Sequence, residues 1–242
     1  TTLFRSSVGC EMRRAAVRCI LRPKGGRLSQ TPALWEATYE AQTQEELNEA
    51  YKQWACKYDR DTCKQMGYVG PQTAAKILDR HLDSKRCRVL DAGCGTGLVG
   101  EVLNDMGYEN LEAMDCSADM IREAEKKDVY QRVFQADLNE RLEVPADTYD
   151  ASICVGTFTY AHVGPDAFEE LIRVTRPGGA ICFTIRDGAY EDYGYRPKML
   201  ELEKEDVWQL AEMHLEDYLI EEDVRARFST YVVIDGQDCL AC

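Results

Sequence analysis

Histidine is scarce in this sequence, long apolar runs are missing, and the body of the chain carries no excess of basic charge. With only three histidines in 242 residues, nothing supports the single Cys239-x-x-Cys242 pair as a zinc or redox motif, and it reads as part of a tail. No metal is expected. The richest apolar stretches, "ASICV" and "AICFTI", are strand-length, well short of the roughly 18 residues that cross a bilayer. A soluble chain without membrane contact is expected. Internal repeats and low-complexity segments are also missing, which excludes a solenoid.

The net charge of -14 is unevenly spread. Residues 1–30 hold seven Arg/Lys and one acid, Glu11, so the remainder holds 22 basic and 42 acidic groups, a balance of -20. Such a body repels nucleic acid at long range, and no nucleic-acid partner is expected. Eleven cysteines are scattered along the chain, several beside apparent core strands, as suits reduced thiols in a reducing compartment. Cytoplasm is the default location. The basic segment, with Arg13, Arg14, Arg18 and Arg22 among small and apolar residues, also has the look of a mitochondrial transit peptide, and that possibility stays open.

Residues 1–42 read as a basic, disordered extension, 43–235 as one folded domain and 236–242 as a tail. Thr43 and Glu46 are spaced as a capping box at the start of the domain. From there apolar runs alternate with helical periods, the pattern of repeated β-α units in a mostly parallel sheet. Strands are expected near 87–91, 110–115, 131–135, 149–155 and 179–186. A long helix is expected over 197–214, with Met199, Leu202, Leu210 and Met213 on its apolar side. The segment "EDYLIEEDVRARFSTYVVI" then reads as two strands that close the sheet antiparallel.

The stretch "VLDAGCGTG" at 89–97 places Gly93, Gly95 and Gly97 directly after a strand. Such glycines let backbone N–H groups approach a ligand that side chains would block. A dinucleotide fingerprint wants a glycine at 98, where leucine stands, and Asp91 would oppose a pyrophosphate. Against a ligand bearing an ammonium group, Asp91 is an asset. S-adenosylmethionine is such a ligand.

On these residues the sequence resembles the class I S-adenosylmethionine-dependent methyltransferases, whose first motif is an acid followed by G-x-G-x-G. The likeness covers roughly 50–235, and "YDRDTCKQMGYVGPQTAAKIL" with "DAGCGTGLVG" looks like one methyltransferase-like subfamily within it. It implies an α/β fold: a Rossmann-like, seven-stranded, mostly parallel sheet with helices on both faces and an antiparallel final strand. It implies S-adenosyl-L-methionine as cofactor, with Asp91, Gly93, Cys94, Gly95 and Gly97 at its amino-acid end. Asp115 would take the ribose hydroxyls, with Cys116 and Met120 near the adenine. Asp137 would receive the adenine amine and Leu138 would offer its backbone. Cys154 and Val155 would run beneath the cofactor, and Tyr58 and Tyr68 would close over the methionine end, or else pack.

For the acceptor side the candidates are Phe158, Tyr160 and His162 at the lip, Arg186 as a carboxylate clamp or ion-pair partner, and Tyr193 in a tyrosine-rich insert suited to a lid. No single catalytic residue is assigned, since a sulfonium is already activated and the protein chiefly aligns the partners. No N/D-P-P-Y follows the fourth strand, where "VGTF" stands, so planar amino groups of bases are poor substrates. The expected function is in-line methyl transfer to a small molecule or a protein side chain by a monomer. A cofactor-binding scaffold without transfer activity is the alternative.

Overall fold

The computed structural model describes Ala37, residues 44–159 and residues 163–235. The rest of the 1–42 extension, Thr43, Tyr160, His162 and the Cys239/Cys242 pair lie outside these residues. Helix α1 (Gln44–Asp59) runs into a π-type turn, Arg60–Gln65, and α2 (Gly70–Asp79) follows. The chain then alternates: β1 (Val89–Ala92), α3 (Leu98–Asp105), β2 (Leu111–Asp115), α4 (Ala118–Glu125), β3 (Arg132–Gln135), β4 (Tyr149–Phe158), α5 (Ala167–Val174) and β5 (Thr175–Arg186). Two short helices, α6 (Ala189–Asp192) and α7 (Tyr195–Lys204), lead into the hairpin of β6 (Trp208–Leu219) and β7 (Val224–Val233).

The seven strands lie in the order β3-β2-β1-β4-β5-β7-β6. β1 to β5 are parallel, while β7 is antiparallel to both β5 and β6. Alternating side chains build two cores, one on each face. Leu90, Phe158, Phe183, Ile185 and Tyr231 pack beneath α5, α6 and α7. Val89, Ile153, Val155, Cys182 and Phe228 pack with Leu78 of α2, Leu103 of α3 and Trp54 of α1. Reversal of strand order at β1/β4 opens a crevice at the C-terminal ends of the parallel strands, where such sheets hold ligands.

The sheet is as expected, but one helix is not. The helical pattern over 197–214 stops at Lys204, and Asp206 turns the chain through a positive φ of 54°, a conformation that aspartate tolerates better than most residues. Leu210 and Met213 therefore lie on β6, and Leu210 is 39% exposed. β6 is an edge strand with mostly polar surface, so its two-residue alternation is faint, and the apolar positions mimic a helical period.

Phe158 also differs from expectation. It is fully buried, with ring centroids 4.6 Å from Phe168, 5.6 Å from Phe183 and 5.6 Å from Tyr195, so it is a core aromatic and not a lip residue. The expected cost of Phe158→Ala is a loss of about 3–5 kcal/mol of stability, read by urea denaturation. A change under about 1 kcal/mol would contradict this placement.

Candidate active site

Three acids stand at successive strand ends along the crevice. Asp91 lies on β1, Asp115 ends β2, and Asp137 follows β3. The turn after β1 brings backbone amides to the same place. Gly95 has φ +54°, and a Cβ there would project into open space. Gly93 N and Cys94 N donate to the Met114 carbonyl at 2.8 and 2.9 Å, and Gly95 N donates to Asp115 Oδ2 at 2.8 Å. The other oxygen of Asp115 accepts from Ser117 N at 2.8 Å. Ser117 is the N-cap of α4, its hydroxyl accepting from Met120 N. Burial raises the Asp115 carboxyl, and these backbone donors offset part of that shift.

The crevice is an open-mouthed cleft at the C-terminal ends of the parallel strands. Of the residues expected around a cofactor, Tyr58, Tyr68, Gly93, Cys94, Gly95, Asp115, Cys116, Met120, Asp137, Leu138 and Val155 line it. Asp137 is half-buried, and its Oδ1 accepts from both Asn139 N and Asn139 Nδ2 at 2.9 Å.

Three expected residues are not part of the cleft lining. Cys154 is fully buried and faces the opposite core, with Leu90 and Phe158, because the side chains of a strand alternate and Val155 takes the cleft side. Gly97 is the left-handed N-cap of α3, with φ 86°, and shapes the turn. Asp91 sits behind the turn at 2% exposure.

Asp91 has a partner that the motif alone did not reveal. Tyr130, in the segment before β3, donates its hydroxyl to Asp91 Oδ2 at 2.5 Å and accepts from Gly100 N at 3.1 Å. The ring fills the space beside Gly100, where a Cβ would come within 2.2 Å of Tyr130 Cζ. Asp91 Oδ1 is buried without a hydrogen-bond partner. Burial raises the Asp91 carboxyl to about 7, the Tyr130 hydrogen bond lowers it, and the nearby Asp115 charge adds to the rise. An orphaned carboxylate oxygen behind an amide-lined turn fits a ligand ammonium group, and the open space at Gly95 fits the close approach of its backbone.

A second set of contacts missed by the motif ties α1 to the glycine turn. Thr96 donates its hydroxyl to Asp59 Oδ1. Lys127 bridges Asp59 Oδ2 at 2.8 Å and Glu101.

On the acceptor side the structure departs from expectation. Arg186 is 3% exposed and is not among the residues that line the cleft. Tyr193 is half-buried against the core under α5 to α7. The insert is fastened down: Tyr195 donates its buried hydroxyl to the Thr159 and Val163 carbonyls at 3.0 and 2.7 Å, and Tyr190 stacks under Arg227. It supports the cleft wall at Val163 as a packed element, contrary to the lid expected around Tyr193.

Fold and cleft define a Rossmann-like protein built around a nucleoside-type cofactor. A methyltransferase domain family matches residues 89–179, from β1 into β5. Human methyltransferase-like protein 27 is 33% identical over 166 residues, covering 67% of each chain. The malonyl-[acyl-carrier protein] O-methyltransferase of Enterobacter lignolyticus is 35% identical over 112 residues, 46% of this chain and 44% of its own length, so this chain spans less than half of that relative. A solved S-adenosylmethionine-dependent methyltransferase from Aquifex aeolicus superposes with a TM-score of 0.56 at 20% identity, over 76% of this chain and 98% of that one. The chain belongs to the class I S-adenosylmethionine-dependent methyltransferases, and S-adenosyl-L-methionine is its cofactor. Among the described residues, no helix is long and apolar enough to cross a membrane and no cluster of three metal-ligating side chains occurs.

The raised Asp91 carboxyl has a pH signature. Below about 7 it is protonated in the free protein and cannot offer charge to an ammonium group. Affinity for S-adenosylhomocysteine should therefore climb as the pH rises from about 6 to about 8. In the ligand-free protein the sign is opposite. The folded state holds this proton more tightly than the unfolded chain, so Asp91 lowers stability as pH rises from its ordinary value towards 7. Tyr130→Phe removes the hydrogen bond that lowers the carboxyl, and should move the midpoint of the binding profile to higher pH and weaken binding at neutrality. Titration calorimetry across this range reads both effects, and a flat profile shared by wild type and Tyr130→Phe would contradict the assignment.

Proposed function

We propose that this methyltransferase acts on a small molecule or an exposed protein side chain, with an oxygen as acceptor atom. The observation that carries the reading is the polarity of the cleft: Asp115 and Asp137 line it at the β2 and β3 side, and Tyr68 lines it beside Gly156 of β4. The name of the O-methyltransferase relative supports an oxygen acceptor.

The bound cofactor supplies an activated methyl group on a sulfonium. The methionine end lies against the glycine turn, with the buried Asp91 carboxylate behind that turn favouring the ammonium charge through its field. Asp115 accepts the ribose hydroxyls with the lone pairs left by Gly95 N and Ser117 N. Asp137 and Leu138 face the adenine edge, with Met120 as an apolar wall. Val155, Gly156 and Thr157 form the floor towards the acceptor. Tyr58, half-buried and edge-on to Trp54 at 4.7 Å, closes the top of the methionine end. Alignment of acceptor and methyl within about 3–3.5 Å supplies most of the catalysis. The acidic body disfavours nucleic acid as substrate.

The scaffold alternative uses the same cofactor contacts and is separated only by transfer. Wild type should bind S-adenosylhomocysteine, and Asp115→Ala should weaken it at least about tenfold, the scale of charged hydrogen bonds. With methyl-labelled S-adenosylmethionine and a cell extract, label should appear in a new species. Cofactor binding without any transfer would favour the scaffold.

A further inference from the structure

At the β4 end of the cleft lies a polar island that the cofactor contacts do not use. Tyr68, 8% exposed and part of the cleft wall, has its hydroxyl 3.0 Å from that of Tyr218 on β6. Both oxygens sit over Gly156, where a Cβ would stand 3.1 Å from Tyr68 Oη and 2.9 Å from Tyr218 Oη. Gly156 N donates to Thr184 Oγ1 at 3.0 Å, and the Thr184 hydroxyl also hydrogen-bonds with that of Tyr218. Arg186 lies two residues beyond Thr184, hence on the same face of β5. Its cross-strand neighbour is the small, buried Ala226 of β7, which leaves room for Tyr218 and Arg186 to interact across it.

We infer that this island is the acceptor end of the site and takes a carboxylate, with Tyr68 contacting the acceptor and Tyr218 and Arg186 positioning it. The inference rests on the methyltransferase reading above. The island offers hydroxyl donors and a guanidinium, the groups that recognise an anionic oxygen. Among the described residues it offers no base for neutral pH. Burial pushes the Tyr68 and Tyr218 hydroxyls above the usual tyrosine range, and Arg186, drawn down to about 10 by burial, remains a cation.

Each common acceptor meets this surface differently. An alkyl amine arrives protonated and is repelled by Arg186. An alcohol needs a base to become a competent nucleophile. A carboxylate arrives ionised and is attracted. Its oxygen lone pair forms the O–CH3 bond as the CH3–S bond breaks, and the bonding pair passes to sulfur. The negative and positive charges disappear together, and no proton moves. The product is a methyl ester.

Methyl esters release methanol in mild base, whereas methylated amines and phenol ethers do not. Wild type with methyl-labelled S-adenosylmethionine is incubated with a cell extract split into an ultrafiltrate and a protein fraction. The expected result is label that mild base converts to volatile methanol, from one fraction or the other. Tyr218→Phe should lower this transfer about tenfold with the fold retained and S-adenosylhomocysteine affinity unchanged. Arg186→Lys should retain more transfer than Arg186→Gln. Base-stable label, or full transfer by Tyr218→Phe, overturns the carboxylate inference and leaves the methyltransferase reading standing. Cofactor binding without label in either fraction removes the transfer reading and this inference with it.

Discussion

The site depends on keeping two buried carboxylates, Asp91 and Asp115, close together behind a single turn of backbone. Burial raises both carboxyls, and the Asp115 charge adds to the rise at Asp91. The fold answers with donors. Asp115 takes amides from Gly95 and Ser117, and Asp91 takes the Tyr130 hydroxyl. Asp91 Oδ1 has no hydrogen-bond partner among the described residues, at a cost to the empty protein. Gly100 follows from the same constraint, since any side chain there would displace Tyr130. So does the clamp of Asp59 on Thr96 and Lys127, which holds the turn from outside.

The sheet divides the labour along the cleft. Acids stand on β1, at the end of β2 and just after β3, whereas β5 and β6 bring Thr184, Arg186 and Tyr218 together at the other end, beside Tyr68. The antiparallel hairpin matters because it carries Tyr218 back over β4. Tyr68 is fixed beside it by an isolated bridge to Leu219, and Val69 N donates to the Tyr218 carbonyl at 3.1 Å. Segments from both ends of the domain thus meet at one wall.

Much of this was legible in the sequence because it is local. Glycines after a strand, and acids at the ends of the next two, are spaced by the β-α repeat itself, so Asp91, Gly95, Asp115 and Asp137 could be placed from their neighbours in the chain. What escaped was set by long-range packing. Tyr130 lies 39 residues from Asp91, and its only local trace is Gly100, a glycine inside a helix with no turn to explain it. Tyr218 was hidden in an edge strand whose first half mimicked a helix. Cys154 and Phe158 were placed on the wrong side because strand parity decides the facing, and a register irregularity between them interrupts the simple alternation. The tyrosines of the insert signalled burial, as Tyr195 shows, where a lid had been expected.

The central claim is that the cleft is built for an adenosyl ligand with a free ammonium end and no phosphate. Calorimetric titration near pH 8 with S-adenosylhomocysteine, and in parallel with NAD, tests it most directly. The account predicts one-to-one binding of S-adenosylhomocysteine in the micromolar range and no measurable heat with NAD. Binding of NAD as tight as that of S-adenosylhomocysteine, or no binding of S-adenosylhomocysteine, would contradict it.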